Sequence, residues 1–526
     1  MAKRVFIAEK PSVAQEFARI LKINGRRGDG YLESEDTIVT WCVGHLVTMS
    51  YPEVYDAALK KWSLDTLPFL PEKFLYEVIP GVKKQFDTVS YLLNREDVDT
   101  IYICTDSGRE GEYIYRLVDQ MAQVSANKKK LRVWIDSQTE EEILRGIREA
   151  KPMAEYDNIS SSAYLRAKED YLMGINFSRV LSLKYGFWLN DTLKGQKWTS
   201  VSVGRVMTCV LGMVVKREMQ IRDFVKTPFY RVIGNFELQG KKFQGEWKAV
   251  EGSKYYQSPA LYKENGFKEK ENALALIDSL MQPEPVPSEI EQVAKKKEKK
   301  NPPLLFNLAE LQNTASKLFK ISPDETLRIV QELYEKKLVT YPRTDARVLS
   351  TAVSKEITKN LNGLSKYQMA APYMQDILHY GAYKNLAKTR YVNDKQITDH
   401  YAIIPTGQGL NVLKSLSQTS QRVYETIVRR FLCIFCPPAV YQKVNLVTEM
   451  QKEKFFSGFK VLQEEGYLKY ATNSFARKSA ADRSQESGKE DSEEASCDVQ
   501  LLNALQRLKK NDILTVDALN IKEGET

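Results

Sequence analysis

The chain has 526 residues, 77 of them Lys or Arg and 68 Asp or Glu, for a net charge of +9. An apolar share of 43% beside 28% charged residues excludes a mostly disordered chain, and the length suggests about three or four domains. No apolar run approaches the ~20 residues that span a bilayer, and the short run before Glu9 cannot serve as a secretory signal.

Residues 4–8 (Arg-Val-Phe-Ile-Ala) and 100–104 (Thr-Ile-Tyr-Ile-Cys) read as short buried strands. Each is followed by a polar turn and a helical pattern, over 11–22 and 110–123. A further apolar segment, 131–135, reads as another strand. Strands alternating with helices predict a parallel α/β sheet, and such sheets bind ligands beyond the carboxyl ends of their strands. Glu9 and Asp106 stand just past two of those ends, which makes them site candidates. From 155 to 220 the pattern is helical, with Val206, Val210 and Val214 spaced as a core-facing stripe. Residues 226–290 read as β-rich. The run KKKEKK at 295–300, followed by Asn-Pro-Pro, reads as a solvated linker. A helical pattern returns over 303–405, where Ser322-Pro323-Asp324-Glu325 forms a capping box that opens a helix running to Lys336. Residues 441–470 alternate as strands, and 472–498, rich in Ser, Ala, Glu and Asp, read as a disordered surface insertion. The six scattered cysteines fit a reducing cytoplasm, and the single Cys433-x-x-Cys436 lacks the second pair of a zinc site.

Two clusters carry chemistry. Asp106-Ser107-Gly108-Arg109-Glu110-Gly111-Glu112 puts three carboxylates and an arginine at a strand–helix junction. Such a set can hold a hard divalent cation such as Mg²⁺, although acids also suit a helix's first turn for the sake of its dipole. Glu9, at a neighbouring strand end, favours a site, and Lys10 sets a cation beside it. The second cluster is Leu338-Val339-Thr340-Tyr341-Pro342-Arg343-Thr344-Asp345, just after the capped helix. A tyrosine on a turn beside an arginine can attack a phosphodiester while the guanidinium balances the phosphate charge. A free phenol titrates near ~10 and needs such cationic help to act as a nucleophile. Most of the 28 tyrosines should instead be half-buried anchors. No Gly-x-x-x-x-Gly-Lys-Ser/Thr loop occurs, which argues against an ATP-driven enzyme.

Seven segments, in order, resemble the type IA DNA topoisomerases, most closely the topoisomerase III branch. They are VFIAEKPSVAQEFARIL (5–21), GHL (44–46), TDSGREGEYI (105–114), DYLMGINFSR (170–179), SVGRVMT (202–208), LVTYPRTD (338–345) and DHYAIIPT (399–406). The resemblance implies a multidomain fold that mixes an α/β TOPRIM domain with separate α and β parts in a toroidal architecture. The TOPRIM domain would take residues 1–152, a helical gate and DNA-binding part 153–224, and a β-rich arch 225–302. A winged-helix-like domain with the catalytic tyrosine would take 303–408, a return through helical and arch segments 409–470, an acidic insertion 471–498, and the start of a closing gate segment 499–526.

The same resemblance implies an ATP-independent isomerase. It would cut one DNA strand through a 5′-phosphotyrosyl link, pass a strand and reseal, relaxing negative supercoils or decatenating DNA. Tyr341 is the implied nucleophile, Arg343 the group that stabilises phosphate charge, Glu9 the proton exchanger at the 3′-oxygen, Lys10 a phosphate contact and His400 the active-site histidine. Glu9, Asp106 and Glu110 are the implied Mg²⁺ ligands. Arg166, Asp170, Arg205, Arg109 and Asp345 are the implied DNA contacts, while His45 reads as structural. The implied setting is the cytoplasm, on single-stranded segments of DNA, with no membrane and no nucleoside triphosphate, and with room for a helicase partner.

Two features depart from the family pattern. Its acidic motif reads Asp-x-Asp-x-Glu, and Gly108 stands here for the second aspartate, so Glu9, Glu112 or water would have to complete a looser metal site. Residues 508–526 resemble the strand before the family's final gate, so the chain reads as truncated. Two rival functions remain at this level: a TOPRIM-type metal-dependent nuclease or primase-like enzyme, which leaves Tyr341 unused, and a catalytically silent DNA-binding module.

Overall fold

The computed structural model describes residues 2–135, 138–194, 198–398, 400–475, 494–496 and 499–526. They gather into two units, one made of Met1–Arg222, Phe306–Asn360 and Asn385–Thr406, the other of Asp223–Leu305, Leu361–Lys384 and Gly407–Thr526. Most of the insertion expected at 471–498 lies outside the described residues. Among the described residues no helix is long and apolar enough to cross a membrane.

In the first unit a seven-stranded sheet is built from β1 (Lys3–Ala8), β2 (Arg26–Gly28), β3 (Tyr31–Glu33), β4 (Thr37–Trp41), β5 (Val98–Cys104), β6 (Lys129–Arg132) and β7 (Lys151–Pro152), in the order β2-β3-β4-β1-β5-β6-β7. The β4-β1-β5-β6 centre is parallel, and the outer strands pair antiparallel. The expected strands at 4–8 and 100–104 are β1 and β5; the one expected at 131–135 begins and ends earlier. Side-chain alternation explains why both faces of β1 are apolar. Val5 and Ile7 pack with α2 (Lys83–Asn94) and α3 (Arg109–Met121), whereas Phe6 and Ala8 pack with α1 (Pro11–Ile20) and α4 (Glu140–Arg148). Pro11 at the first position of α1 supplies a pre-set φ where its missing N–H costs nothing.

Two longer helices follow, α5 (Asp157–Thr192) and α6 (Arg205–Arg222). No residue of α6 is buried. The stripe read as core packing is therefore corrected: Val206, Val210 and Val214 are 57%, 46% and 60% exposed, because no described element covers that face. Later in the chain come α7 (Leu308–Phe319), capped by Asn307, and α8 (Pro323–Glu335). The expected cap of α8 is in place, with Ser322 Oγ accepting from the Glu325 N–H at 3.1 Å.

The second unit holds a nine-stranded sheet: β8 (Pro228–Leu238), β9 (Lys241–Lys248), β10 (Leu261–Lys263), β11 (Gly266–Phe267), β12 (Ser288–Lys300), β13 (Ala439–Met450), β14 (Glu453–Glu464), β15 (Glu494–Ser496) and β16 (Ile513–Glu525). The pairings β8-β9-β14-β13-β12-β16 return to β8 and close a ring of six antiparallel strands. Phe236, Phe243, Trp247, Phe455 and Phe459 fill its core together with apolar residues of the helices at Lys270–Met281 and Val499–Arg507. One expectation changes here. Residues 295–300 are not a linker but the end of β12, paired along β13; alternation sends Lys295 to the carbonyls of Gln506 and Leu508 at the end of the Val499–Arg507 helix and Lys296 to the opposite face. The strand expected within 508–526 is β16, which lies between β12 and β8 with Leu514 and Leu519 in the core.

Candidate active site

Ala8 is the register partner of Cys104 in the parallel β1–β5 pair, so Glu9 and Asp106 emerge together at the carboxyl ends of adjacent strands. The helices after these two strands lie on opposite faces of the sheet, the switch-point arrangement that opens a crevice for ligands. The Asp106 N–H donates to Glu9 Oε2 at 3.3 Å. Lys10 Nζ lies 3.2 Å from Glu9 Oε1 and 3.0 Å from Asp106 Oδ2, joining the two carboxylates.

Tyr341 arrives from a distant part of the sequence. Its turn is laced to residues 400–406: the Thr340 N–H donates to the Ile404 carbonyl at 3.0 Å and Thr340 Oγ1 to the Ala402 carbonyl at 3.0 Å, while Thr344 Oγ1 reaches the His400 carbonyl at 2.6 Å. These bonds bring the Tyr341 and His400 rings to 4.4 Å. Lys10 Nζ donates to the Tyr341 hydroxyl at 3.4 Å and lies 4.5 Å from its ring centroid. His400 Nε2 is 3.5 Å from Asp106 Oδ2. Five residues proposed from the sequence thus meet in one place, namely Glu9, Lys10, Asp106, Tyr341 and His400.

The charges of the cluster follow from this packing. Burial, and then the charge of Asp106, raise the Glu9 carboxyl above its usual range. Burial also opposes ionisation of Asp106, but hydrogen bonding from His400 and the Lys10 ammonium outweigh it and hold that carboxyl well below its usual range. For Lys10, burial favours the neutral amine, yet Asp106 and Glu9 overcome it and keep the ammonium charged. One carboxyl that readily holds a proton and one that does not therefore flank a fixed cation beside the phenol.

Glu9 and Asp106 offer the hard oxygen donors that suit Mg²⁺. Among the described residues, however, no group of three His, Cys, Asp or Glu side chains stands ready for a metal. Glu110 is exposed and paired with His45 at 2.6 Å, which holds its carboxyl below the usual range against partial burial. His45, read from the sequence as structural, thus touches one of the implied ligands. Glu112 is excluded as a substitute ligand: it is fully buried between Arg132, at 2.9 Å, and Arg116, at 2.8 Å. Gly108 has extended backbone, with φ −170° and ψ 179°, a conformation open to any residue. Gly111 is different, since a Cβ there would lie 2.1 Å from the Asp106 carbonyl oxygen.

Arg132 is a residue the sequence reading missed. Its guanidinium is fully buried and donates to the carbonyls of Ile103, Thr105, Val133 and Asp106, at 3.1, 2.8, 2.9 and 2.7 Å, as well as to Glu112. It clamps the strand end and turn that carry Asp106. The available signal was an arginine set inside the apolar run Leu131–Val133.

The remaining candidates are peripheral to this cluster. Arg109, Arg343 and Asp345 are exposed. Arg205 forms a two-pronged pair with Asp170, at 2.8 and 3.3 Å, and Arg166 lies 4.0 Å from the same carboxylate. These three form a local ion-pair group that spans α5 and the start of α6.

Residues 154–526 match the family model described as DNA topoisomerase, and residues 4–137 match the one described as Toprim domain. The DNA topoisomerase 3 of Bacillus subtilis (strain 168) is 36% identical over 527 residues, and that of Bacillus cereus (strain ZK / E33L) 34% over 535. Each alignment takes in all of this chain, which spans 65% of the length of these relatives. The solved structure of full-length topoisomerase I from Thermotoga maritima, in a monoclinic crystal form, shares the fold with a TM-score of 0.54 at 20% identity, over 99% of this chain and 72% of that one. With most of its residues inside the matched family model and a Toprim domain preceding them, the chain belongs to the type IA DNA topoisomerase family.

Proposed function

We propose that the chain cleaves and reseals single DNA strands by transesterification to Tyr341, as part of an ATP-independent, topoisomerase III-like enzyme that relaxes negative supercoils or decatenates DNA. The observation that carries this reading is the 3.4 Å approach of the Lys10 ammonium to the Tyr341 hydroxyl, within a cluster that also holds Glu9, Asp106 and His400.

Lys10 favours the phenolate as the hydroxyl gives up its proton to water, and can then face the non-bridging phosphate oxygens. Tyr341 Oη attacks phosphorus, and the P–O3′ bond breaks. Glu9, whose carboxyl is inclined to hold a proton, delivers it to the departing 3′-oxygen and takes it back on resealing. Exposed Arg343 is available to the phosphate from the same turn as the nucleophile. Because one phosphodiester is exchanged for another ester, resealing requires no nucleotide. Glu9 and Asp106, joined by Glu110 if it leaves His45, would hold Mg²⁺, which neutralises charge at the phosphate when bound. Arg166, Asp170, Arg205, Arg109 and Asp345 would line the path of the strand, Asp170 positioning the two arginines. Action on DNA in the cytoplasm, alongside a helicase, belongs to the same reading.

The test is incubation with a labelled single-stranded oligonucleotide followed by denaturant. The expected result is a denaturant-stable protein–DNA adduct that is lost in Tyr341→Phe. Cleavage without an adduct would favour a metal-dependent nuclease, and binding without cleavage a silent module.

A further inference from the structure

β12, β13 and β14 set three lysines in a row. Lys296 is the register partner of Lys443, and Lys443 of Lys460. Directly opposed residues share a face, and neighbouring strands lie about 5 Å apart. This face is the one turned away from the core: along β14 Phe455 and Phe459 are buried, whereas Lys454, Phe456 and Lys460 are half-exposed. The same face carries a second opposed pair, Lys248 and Lys454. Lys454 and Lys460 stand six residues apart on one strand, about 20 Å.

Like charges directly opposed across a sheet are destabilising, and on this face carboxylates offset them, with Glu449 standing directly opposite Lys454. Carboxylates hold these ammoniums in place: Glu298 lies 2.6 Å from Lys443 Nζ and 3.2 Å from Lys460 Nζ, and Glu291 lies 2.6 Å from Lys454 Nζ. Lys460 also sits 4.6 Å from the Tyr441 ring centroid, and Lys248 5.4 Å from that of Phe456. Two groups of cations, one across three strands and one about 20 Å along β14, can meet successive phosphates of one extended strand. A nucleic-acid strand offers one phosphate per ~3.4 Å of axis, about six along this face.

We propose that the outer face of β12, β13 and β14 is a docking strip for the sugar-phosphate backbone of DNA, with Glu298 and Glu291 as built-in competitors that phosphates displace. This rests on DNA being the partner, as proposed above, but not on cleavage at Tyr341. Lys443 and Lys460 would each meet a phosphate once Glu298 is displaced. Lys296, exposed and in the same row, would extend the contact.

The test measures binding of labelled poly(dT) over a range of salt concentrations, in the Tyr341→Phe background so that no covalent capture contributes. The double variant Lys443→Gln/Lys460→Gln should bind more weakly. Its slope of log affinity against log salt should fall by about 1.4, at ~0.7 per lost phosphate contact. Glu298→Gln should do the reverse and tighten binding at low salt, an effect no structural role for that ion pair would produce. Lys296→Gln, which breaks no ion pair among the described residues, should lower the slope by about 0.7 and serves if the double variant does not fold. An unchanged slope in the lysine variants, or weaker or equal binding by Glu298→Gln, would overturn the proposal. Adduct formation by the unaltered chain is scored separately, so the strip and the cleavage reading can fail independently.

Discussion

Lys10→Met is expected to slow covalent capture of a single strand by about 10²–10³-fold, the usual consequence of removing one preorganised group that meets developing charge. The side chain touches Glu9, Asp106 and the Tyr341 hydroxyl at 3.2, 3.0 and 3.4 Å, so a single substitution removes the cation from both carboxylates and from the nucleophile. Glu9 and Asp106 then face each other with no positive charge between them, which drives Glu9 further toward its protonated form. Lys10→Arg keeps the charge with a different shape and should recover part of the rate. Single-turnover adduct formation is the measurement. A Lys10→Met rate within a few-fold of the unaltered chain would show that the phenol does not depend on this cation.

Arg132→Met is expected to destabilise the Toprim domain by about 3–5 kcal/mol, because it takes from a buried carboxylate the fully buried one of its two partners. Arg132 and Glu112 are both fully buried at 2.9 Å, and four strand-end carbonyls share the guanidinium's remaining donors. Arg116 still pairs with Glu112 in the variant, and this should keep the loss from being larger. The turn at Asp106 should loosen with it, since its carbonyl is one of the four. Denaturant midpoints of the single variants and of Arg132→Met/Glu112→Gln measure the coupling. The double variant should lose clearly less than the sum of the two. Simple additivity would mean that the pair is not the element holding this turn.

These two residues also mark the limits of what the sequence discloses. Glu9 and Asp106 were legible because strand ends in a parallel sheet are where such folds bind ligands, and β1 and β5 are short apolar runs that alternate with helices. The contact of Lys10 with Tyr341 was legible only through the resemblance: the residues are 331 positions apart, and the lacing of Thr340 and Thr344 to residues 400–406 leaves no local pattern. Glu112 looked interchangeable with Glu110 as an acid in a helix's first turn, yet Glu112 faces the buried Arg132 and the half-buried Arg116, and Glu110 faces His45. Neighbours from β6 and from the loop after β4 decide that difference, and spacing alone carries no trace of it. Residues 295–300 misled for a related reason. Charge density resembles a solvated linker, while the pairing that makes them a strand is supplied by β13, more than a hundred residues later. The valines of α6 show the opposite error, an apolar spacing that a core would use on a helix face that no described element covers.

The most direct test of the central claim is the polarity of the covalent link. A single strand labelled at its 3′ end and one labelled at its 5′ end are cleaved in parallel, denatured, and the adduct is digested for peptide mapping. The account predicts that only the 3′ label stays with the protein, on the peptide containing Tyr341, while the 5′-labelled fragment leaves with a free 3′-hydroxyl. Retention of the 5′ label, or attachment to any residue other than Tyr341, would contradict it.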